Sequence, residues 1–207
     1  MDVLLGHTYF PSIANFVLLV NSEKVWFEVC DNYEKQTYRN RAYIFGANGK
    51  QALSIPVNYT QRNRQLYKDV QISHVSPWQS IHQKSIESAY RSSPFFEYYE
   101  DDLETLFVKK AKFLLDYNIR CLEVILNCLQ LSIDLESTST FEKEPKHCID
   151  YRGLIQVNSE VQSFENYTQV FSEKYGFINN LSILDLLFNE GPNTLNYLKS
   201  QPTPTLL

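Results

Sequence analysis

The stretch "NYEKQTYRNR", from Asn32 to Arg41, holds one carboxylate, three cations and no aliphatic side chain. The segments on either side of it, "KVWFEV" and "AYIFG", are rich in the β-branched and aromatic residues that favour strands. The following segment, "IFGANGKQALSIPV", has the glycine-bearing turn and the apolar flanks of a β-hairpin. A polar connection between strands places its side chains at one end of a sheet, where binding residues are common. We call Asn32–Arg41 the polar loop.

The hydrophobic pattern changes from β-like to helical near residue 75. Short apolar runs separated by turns predict strands before this point, and apolar residues recur at helical spacing from Pro77 onward. We therefore expect an α+β fold, in which a mainly antiparallel N-terminal sheet packs on C-terminal helices in a single globular unit. The β-rich part covers about 1–75 and the helix-rich part about 76–200. A charged segment that contains a proline predicts a mobile loop at about 141–148.

The composition is that of an ordinary globular protein. The 207 residues are 43% hydrophobic, which is enough to bury a sizeable core. The apolar run "FVLLV" ends at Asn21, far short of the ~20 residues of a membrane helix, so we expect no membrane span. The start of the chain lacks the cationic region of a secretory signal, which favours a cytoplasmic protein. A net charge of −5 argues against a nucleic-acid partner.

The sequence lacks the motifs of several well-known mechanisms. It has no glycine-rich phosphate-binding loop, no HExxH zinc motif and no GxSxG nucleophile motif. Its four histidines are scattered, and its four cysteines include no CxxC pair. We therefore expect neither a metal nor another cofactor.

The cations of the polar loop form the first candidate site. Arg39 and Arg41 are two residues apart, so in an extended segment their guanidinium groups point the same way and can bind a carboxylate or a phosphate together. Lys35 adds a third cation to the same loop. The alternative is that these cations pair on a solvated edge with neighbouring carboxylates, namely Glu28, Asp31 and Glu34.

The second candidate site lies on the predicted helix that starts near Pro77. This helix carries His82. Among side chains, imidazole titrates nearest to neutral pH, so His82 is a candidate general base or orienting donor. Ser85 follows three residues later, but two side chains on one helical turn lack the geometry of a triad built from separate loops. The alternative is a structural histidine whose hydrogen bonds are satisfied inside the protein.

Several segments, in this order along the chain, resemble the WbqC-like protein family. They are "HTYFPSIANFVLLV", "NYEKQTYRNRAYIFGANGKQALSIPV", "IHQKSIESAYRSSPFFEYYEDDLETLF" and "YGFINNLSILDLLFNEGP". The resemblance rests on the aromatic-proline opening at Tyr9–Pro11, on the spacing within Lys35–Arg41, on Trp78 with His82, and on Ala89–Phe96. The opening departs from the glutamine- or proline-rich start that we expect of many relatives, so no role is assigned to His7.

The resemblance implies a bacterial protein of surface-polysaccharide (O-antigen) biosynthesis that transfers an acyl or aminoacyl group, such as glycyl, to an amino sugar. On this hypothesis His82 accepts the amine proton, and Asn40 or Tyr90 donates a hydrogen bond to the developing oxyanion. The substrate is an anionic small molecule such as a nucleotide sugar. The residues assigned to bind it are Lys35, Arg39, Arg41 and Trp78.

The alternative function is a non-catalytic binding or scaffold protein of a biosynthetic complex. The sequence leaves open whether the chain is an enzyme and whether it forms a homodimer. Exposure of the candidate side chains separates the two functions, because an open concave site favours an enzyme. Buried and fully paired side chains favour a structural role.

Overall fold

The computed structural model describes residues 1–58, 65–157 and 163–205. In chain order, the strands are β1 Asp2–Gly6, β2 Lys24–Glu28, β3 Arg41–Gly46, β4 Gly49–Ser54, β5 Val57–Asn58, β6 Gln71–Ile72, β7 Leu135–Ser137 and β8 Ile149–Asp150. The α-helices are α1 Ile13–Asn21, α2 Trp78–Tyr90, α3 Phe96–Val108, α4 Leu114–Cys128, α5 Ser172–Tyr175, α6 Ile183–Glu190 and α7 Thr194–Ser200. The protein is thus a mixed helix and strand structure, as the sequence predicts.

The largest sheet is parallel. Its strand order is β7-β2-β1-β8, and each neighbouring pair runs in the same direction. The helix α1 connects β1 to β2, which is the kind of crossover that parallel neighbours require. The predicted mainly antiparallel N-terminal sheet is therefore not confirmed. Val3, Leu4 and Leu5 are all buried, so β1 lacks the alternation that marks an antiparallel strand with one solvated face.

The predicted hairpin is confirmed. The strands β3 and β4 pair antiparallel over six residue pairs, from Arg41 opposite Ser54 to Gly46 opposite Gly49. Gly49 has a φ of +97°, a backbone conformation that glycine adopts without steric cost. The short strands β5 and β6 form a second antiparallel pair. The polar loop therefore connects the parallel sheet, at β2, to the antiparallel hairpin, at β3.

Two helices begin at the residues that local sequence signals indicate. The helix α2 begins at Trp78, directly after Pro77, and α6 is capped by Ser182, whose hydroxyl accepts a hydrogen bond from Leu184 N at 3.3 Å. One hydrophobic core includes residues from Val3 to Leu198. No helix in the described ranges combines the length and the apolar character that crossing a membrane requires.

Candidate functional site

The polar loop turns Arg39 into the interior of the protein, where its side chain has no exposed surface. Its guanidinium forms an ion pair with Asp31 and donates from Nη1 to Asn32 O at 2.7 Å. It also lies over the ring of Tyr67, 4.5 Å from the ring centroid. Burial raises the pKa of Asp31, and the Arg39 guanidinium opposes that rise. These contacts close the guanidinium off from a ligand that approaches from solvent.

Buried polar groups surround Arg39 and connect three parts of the fold. The Asn118 side chain, on α4, donates to Arg39 O at 2.6 Å and to Tyr67 Oη at 2.5 Å. Tyr67 in turn donates at 3.1 Å to the backbone oxygen of His7, the residue that follows β1. The His7 ring stacks on Phe27 with 3.9 Å between centroids. Burial, assisted by the charge of Arg39, lowers the pKa of His7 to about 3, so this imidazole is neutral at pH 7. We call this group the Arg39 centre.

The remaining candidate residues divide between the surface and a separate buried cluster. Lys35 is exposed, and Arg41 is half-buried at the start of β3. Tyr90 is fully buried, where it accepts from Phe45 N at 3.0 Å and donates to Asp185 Oδ1 at 2.8 Å. Tyr90 follows His82 by eight residues on α2, about 12 Å along the helix axis. The structure therefore does not bring Tyr90 and His82 into one site.

Three candidate residues do meet, in an open cleft of about 380 Å³ between the start of α2 and the end of β4. They are Asn40, Trp78 and His82, which come from the polar loop and from the first turns of α2. The rest of the lining consists of small polar and apolar residues, namely Ser54, Ile55, Pro56, Val57, Ser76 and Ile81. We call this depression the His82 cleft.

Two lining groups of the His82 cleft have unused hydrogen-bonding capacity. The Asn40 side chain donates to Ile55 O at 3.0 Å, but its buried Oδ1 has no partner in the described part of the chain. The buried Nε1 of Trp78 is likewise without a partner among those residues. Leaving such a group unsatisfied costs about 1–3 kcal/mol, so native structures avoid it unless something else supplies the bond. Both atoms belong to residues that line the cleft, although each atom is itself shielded from solvent in this structure.

The imidazole of His82 is held in place and kept neutral. Its Nδ1 is 3.0 Å from the hydroxyl oxygen of Tyr9, and the Trp78 ring packs edge-on with 5.2 Å between centroids. Burial lowers the pKa of His82 to about 4, and a hydrogen bond with the Ser54 backbone opposes the shift. The imidazole is therefore neutral at pH 7, with hydrogen-bond partners in Tyr9 and the Ser54 backbone.

A second polar cluster, which the sequence pattern did not reveal, lies at the carboxyl ends of the parallel strands. The buried Glu28 carboxylate accepts from Cys30 N and from Thr138 Oγ1, both at 2.8 Å, and pairs with Arg152 at 3.1 Å. Arg152 also forms an ion pair with Asp150 at 2.6 Å. Ligands often bind at this edge of a parallel sheet, but these charges satisfy one another. Glu28 and Arg152 are 124 residues apart, so only knowledge of the strand order could have paired them.

The loop that was predicted to be mobile, about 141–148, borders the same edge. Some of its residues line a smaller cavity of about 180 Å³, including His147 and Cys148. The described residues contain no group of three or more His, Cys, Asp or Glu side chains arranged to hold a metal ion.

Comparison with known proteins identifies the family of this chain. The family model described as "WbqC-like protein family" matches residues 7–162, which is more than half of the chain. The chain is also 24% identical over 197 residues to "Uncharacterized protein Rv1507c" of Mycobacterium tuberculosis, with 81% of this chain and 84% of that protein covered. No solved structure gives a significant match. The resemblance seen in the sequence is confirmed, and the chain belongs to the WbqC-like protein family.

Proposed function

We propose that this protein transfers an acyl or aminoacyl (glycyl) group to an amino sugar in surface-polysaccharide (O-antigen) biosynthesis in the cytoplasm. The observation that carries the proposal is the His82 cleft, where a neutral imidazole lies beside an unpartnered acceptor and an unpartnered donor. Sugar hydroxyl and amine groups both donate and accept hydrogen bonds, so an amino sugar complements this lining. Aromatic and apolar walls such as Trp78 and Ile55 suit the less polar faces of a sugar ring.

The proposed reaction forms one bond and breaks one bond. The amine nitrogen of the sugar attacks the acyl carbon, and the bond between that carbon and the donor's leaving group breaks. His82 takes the amine proton on Nε2, in the tautomer whose Nδ1–H donates to Tyr9 Oη, and later returns it to the leaving group. Tyr9 positions the ring through Nδ1. The Nε1–H of Trp78 is the unpartnered donor in the cleft, and we assign it to the developing oxyanion, the task first predicted for Asn40 or Tyr90.

The polar loop has a divided role in this proposal. Asn40 lines the cleft and is assigned to the substrate, whereas Arg39 supports the loop from inside the protein. Arg41 is half-buried beside Asn40, and its Nε has no partner within the described residues. Arg41 and the exposed Lys35 are therefore placed better than Arg39 to meet an anionic part of a substrate such as a nucleotide sugar.

A non-catalytic binding or scaffold role is the second candidate. It is favoured by Arg39, a cation of the polar loop that is buried and paired with Asp31. It is also favoured by the exposure of two large apolar side chains on α3, since Tyr98 is 71% exposed and Val108 is 72% exposed. Exposed aromatic side chains are frequent at protein interfaces.

Sugar binding is tested with glucosamine in a calorimetric titration. We expect the wild type to bind it, and Trp78→Phe to bind it about tenfold more weakly, because the smaller ring removes part of the aromatic wall that packs against the sugar. The matched control is Trp26→Phe, which changes the chain's other tryptophan, on β2 and outside the His82 cleft. Equal loss in both variants, or no binding by the folded wild type, would contradict the proposed site.

Transfer is tested by incubating the protein with glucosamine and simple acetyl or glycyl thioesters, and by following the mass of the sugar. We expect an amide product with the wild type and at least a hundredfold less with His82→Gln, which removes the base. The glucosamine titration shows whether this variant still binds the sugar. Sugar binding without any product for either donor would favour the non-catalytic alternative.

A further inference from the structure

The His82 cleft continues into a second cleft of about 330 Å³ along the same helix. Ile81 lines both clefts, and its side chain is 53% exposed at the junction between them. The second cleft lies between the hairpin, where it is bordered by Gln51, and the α2 residues Lys84, Ser85 and Ser88. We call it the Lys84 cleft.

Small side chains keep the Lys84 cleft open. Ser85, Ser88 and Ala89 lie on its helical side together with Ile81 and Lys84, and Gly46 and Ala47 lie on its hairpin side. From Ile81 to Ser88 the helix rises about 11 Å, so the two clefts together form an extended groove rather than a single round pocket.

The charge of this groove differs from that of the whole chain. The protein carries a net charge of −5, yet the described lining of the two clefts includes no carboxylate. Lys84 is the one lysine or arginine among those lining residues. A cation without a neighbouring carboxylate in its own cleft is suited to an anionic group of the ligand.

We infer that the Lys84 cleft binds the phosphate of a glycosyl phosphate whose sugar ring occupies the His82 cleft. This inference rests on the proposed function and names the acceptor more closely. Lys84 follows Ile81 by three residues on α2, so these two side chains are neighbours on the helix surface, and Ile81 lines both clefts at their junction. On this inference the cation for the phosphate is Lys84, in place of the three cations of the polar loop, Lys35, Arg39 and Arg41. The hydroxyls of Ser85 and Ser88 extend the site toward any group beyond the phosphate.

The inference is tested by titrating the protein with glucosamine and with glucosamine 1-phosphate. We expect the phosphate to tighten binding by about fivefold in the wild type, and that gain to disappear in Lys84→Gln, while the affinity for glucosamine itself stays the same. The gain is also expected to shrink in high salt, since Lys84 is exposed. Lys110→Gln, which changes an exposed lysine outside both clefts, is the matched control and should keep the full gain.

The outcomes separate this inference from the proposed function. Equal binding of both probes by the wild type, or a phosphate gain that survives in Lys84→Gln, overturns the Lys84 site and leaves the sugar site standing. Failure of glucosamine and of its phosphate to bind overturns both. A third arm with UDP-glucosamine identifies the source of the phosphate. Tighter binding than the monophosphate indicates a nucleotide-linked sugar, and weaker binding indicates a free glycosyl phosphate.

Discussion

Two adjacent residues of the polar loop, Arg39 and Asn40, have opposite surroundings. Arg39 is fully buried against Asp31 and Tyr67, whereas Asn40 lines an open cleft beside Trp78. Each retains an unpartnered atom among the described residues, the Nε of Arg39 and the Oδ1 of Asn40. Only the second of these belongs to a residue that lines a cleft of ligand size. The difference shows that a cation-rich sequence does not by itself mark a binding site, because the same charge can tie a loop to the core.

The largest expected effect is on the Arg39 centre. Arg39→Ala leaves Asp31 largely buried without its cation, and we expect the free energy of unfolding to fall by about 3–5 kcal/mol. Denaturant unfolding measures it. The matched control is Arg91→Ala, which breaks exposed pairs with Glu87 and Glu100 and should cost about 1 kcal/mol or less. A stable Arg39→Ala variant that no longer binds sugar would show that Arg39 serves binding and does not mainly stabilise the fold.

The next effect is the acid sensitivity that His82 contributes. Its folded pKa of about 4 lies below the value near 6.5 of an unfolded histidine, so between these values the unfolded chain binds a proton that the folded chain does not. The stability from the neutral imidazole is therefore complete above pH 6.5 and is lost as the pH falls toward 4. We expect His82→Gln to reduce the slope of unfolding free energy against pH by about 1 kcal/mol per pH unit in this range.

Two further measurements of unfolding free energy against pH test the role of His82. His147→Gln changes an exposed histidine and should leave the slope as it is in the wild type. Part of the slope should remain in His82→Gln, because burial also lowers the pKa of His7. An unchanged slope in His82→Gln would mean that His82 titrates normally and that water reaches its imidazole more freely than the buried position in this structure indicates.

The fold was predictable where it depends on neighbouring residues. The hairpin turn at Gly49 and the cap at Ser182 are local, and each follows from residues within a few positions. The parallel sheet was not predictable in the same way, because β7 and β8 join β1 and β2 from more than 100 residues away. Strand direction depends on which segments meet, and a buried strand such as β1 gives no alternation that reveals its partners.

The candidate site was also predictable only in part. The sequence pointed to Asn40, Trp78 and His82, and the structure places them in one cleft. It also grouped Arg39 and Tyr90 with them, although both side chains point into the interior. The direction of a side chain in an irregular loop depends on the loop's contacts, here the ion pair with Asp31, and the residue type does not specify it.

The smallest effect concerns Tyr9, which links the core to the His82 cleft. Tyr9→Phe keeps the buried ring but removes the hydroxyl that lies 3.0 Å from His82 Nδ1, and we expect a stability loss of about 1 kcal/mol. We also expect glucosamine binding to weaken about threefold, because the imidazole loses the contact that fixes its orientation. Tyr98→Phe changes an exposed hydroxyl and should alter neither quantity. If Tyr9→Phe loses stability but binds glucosamine normally, the hydroxyl serves only the core, and His82 is oriented by its packing against Trp78 and its hydrogen bond with the Ser54 backbone.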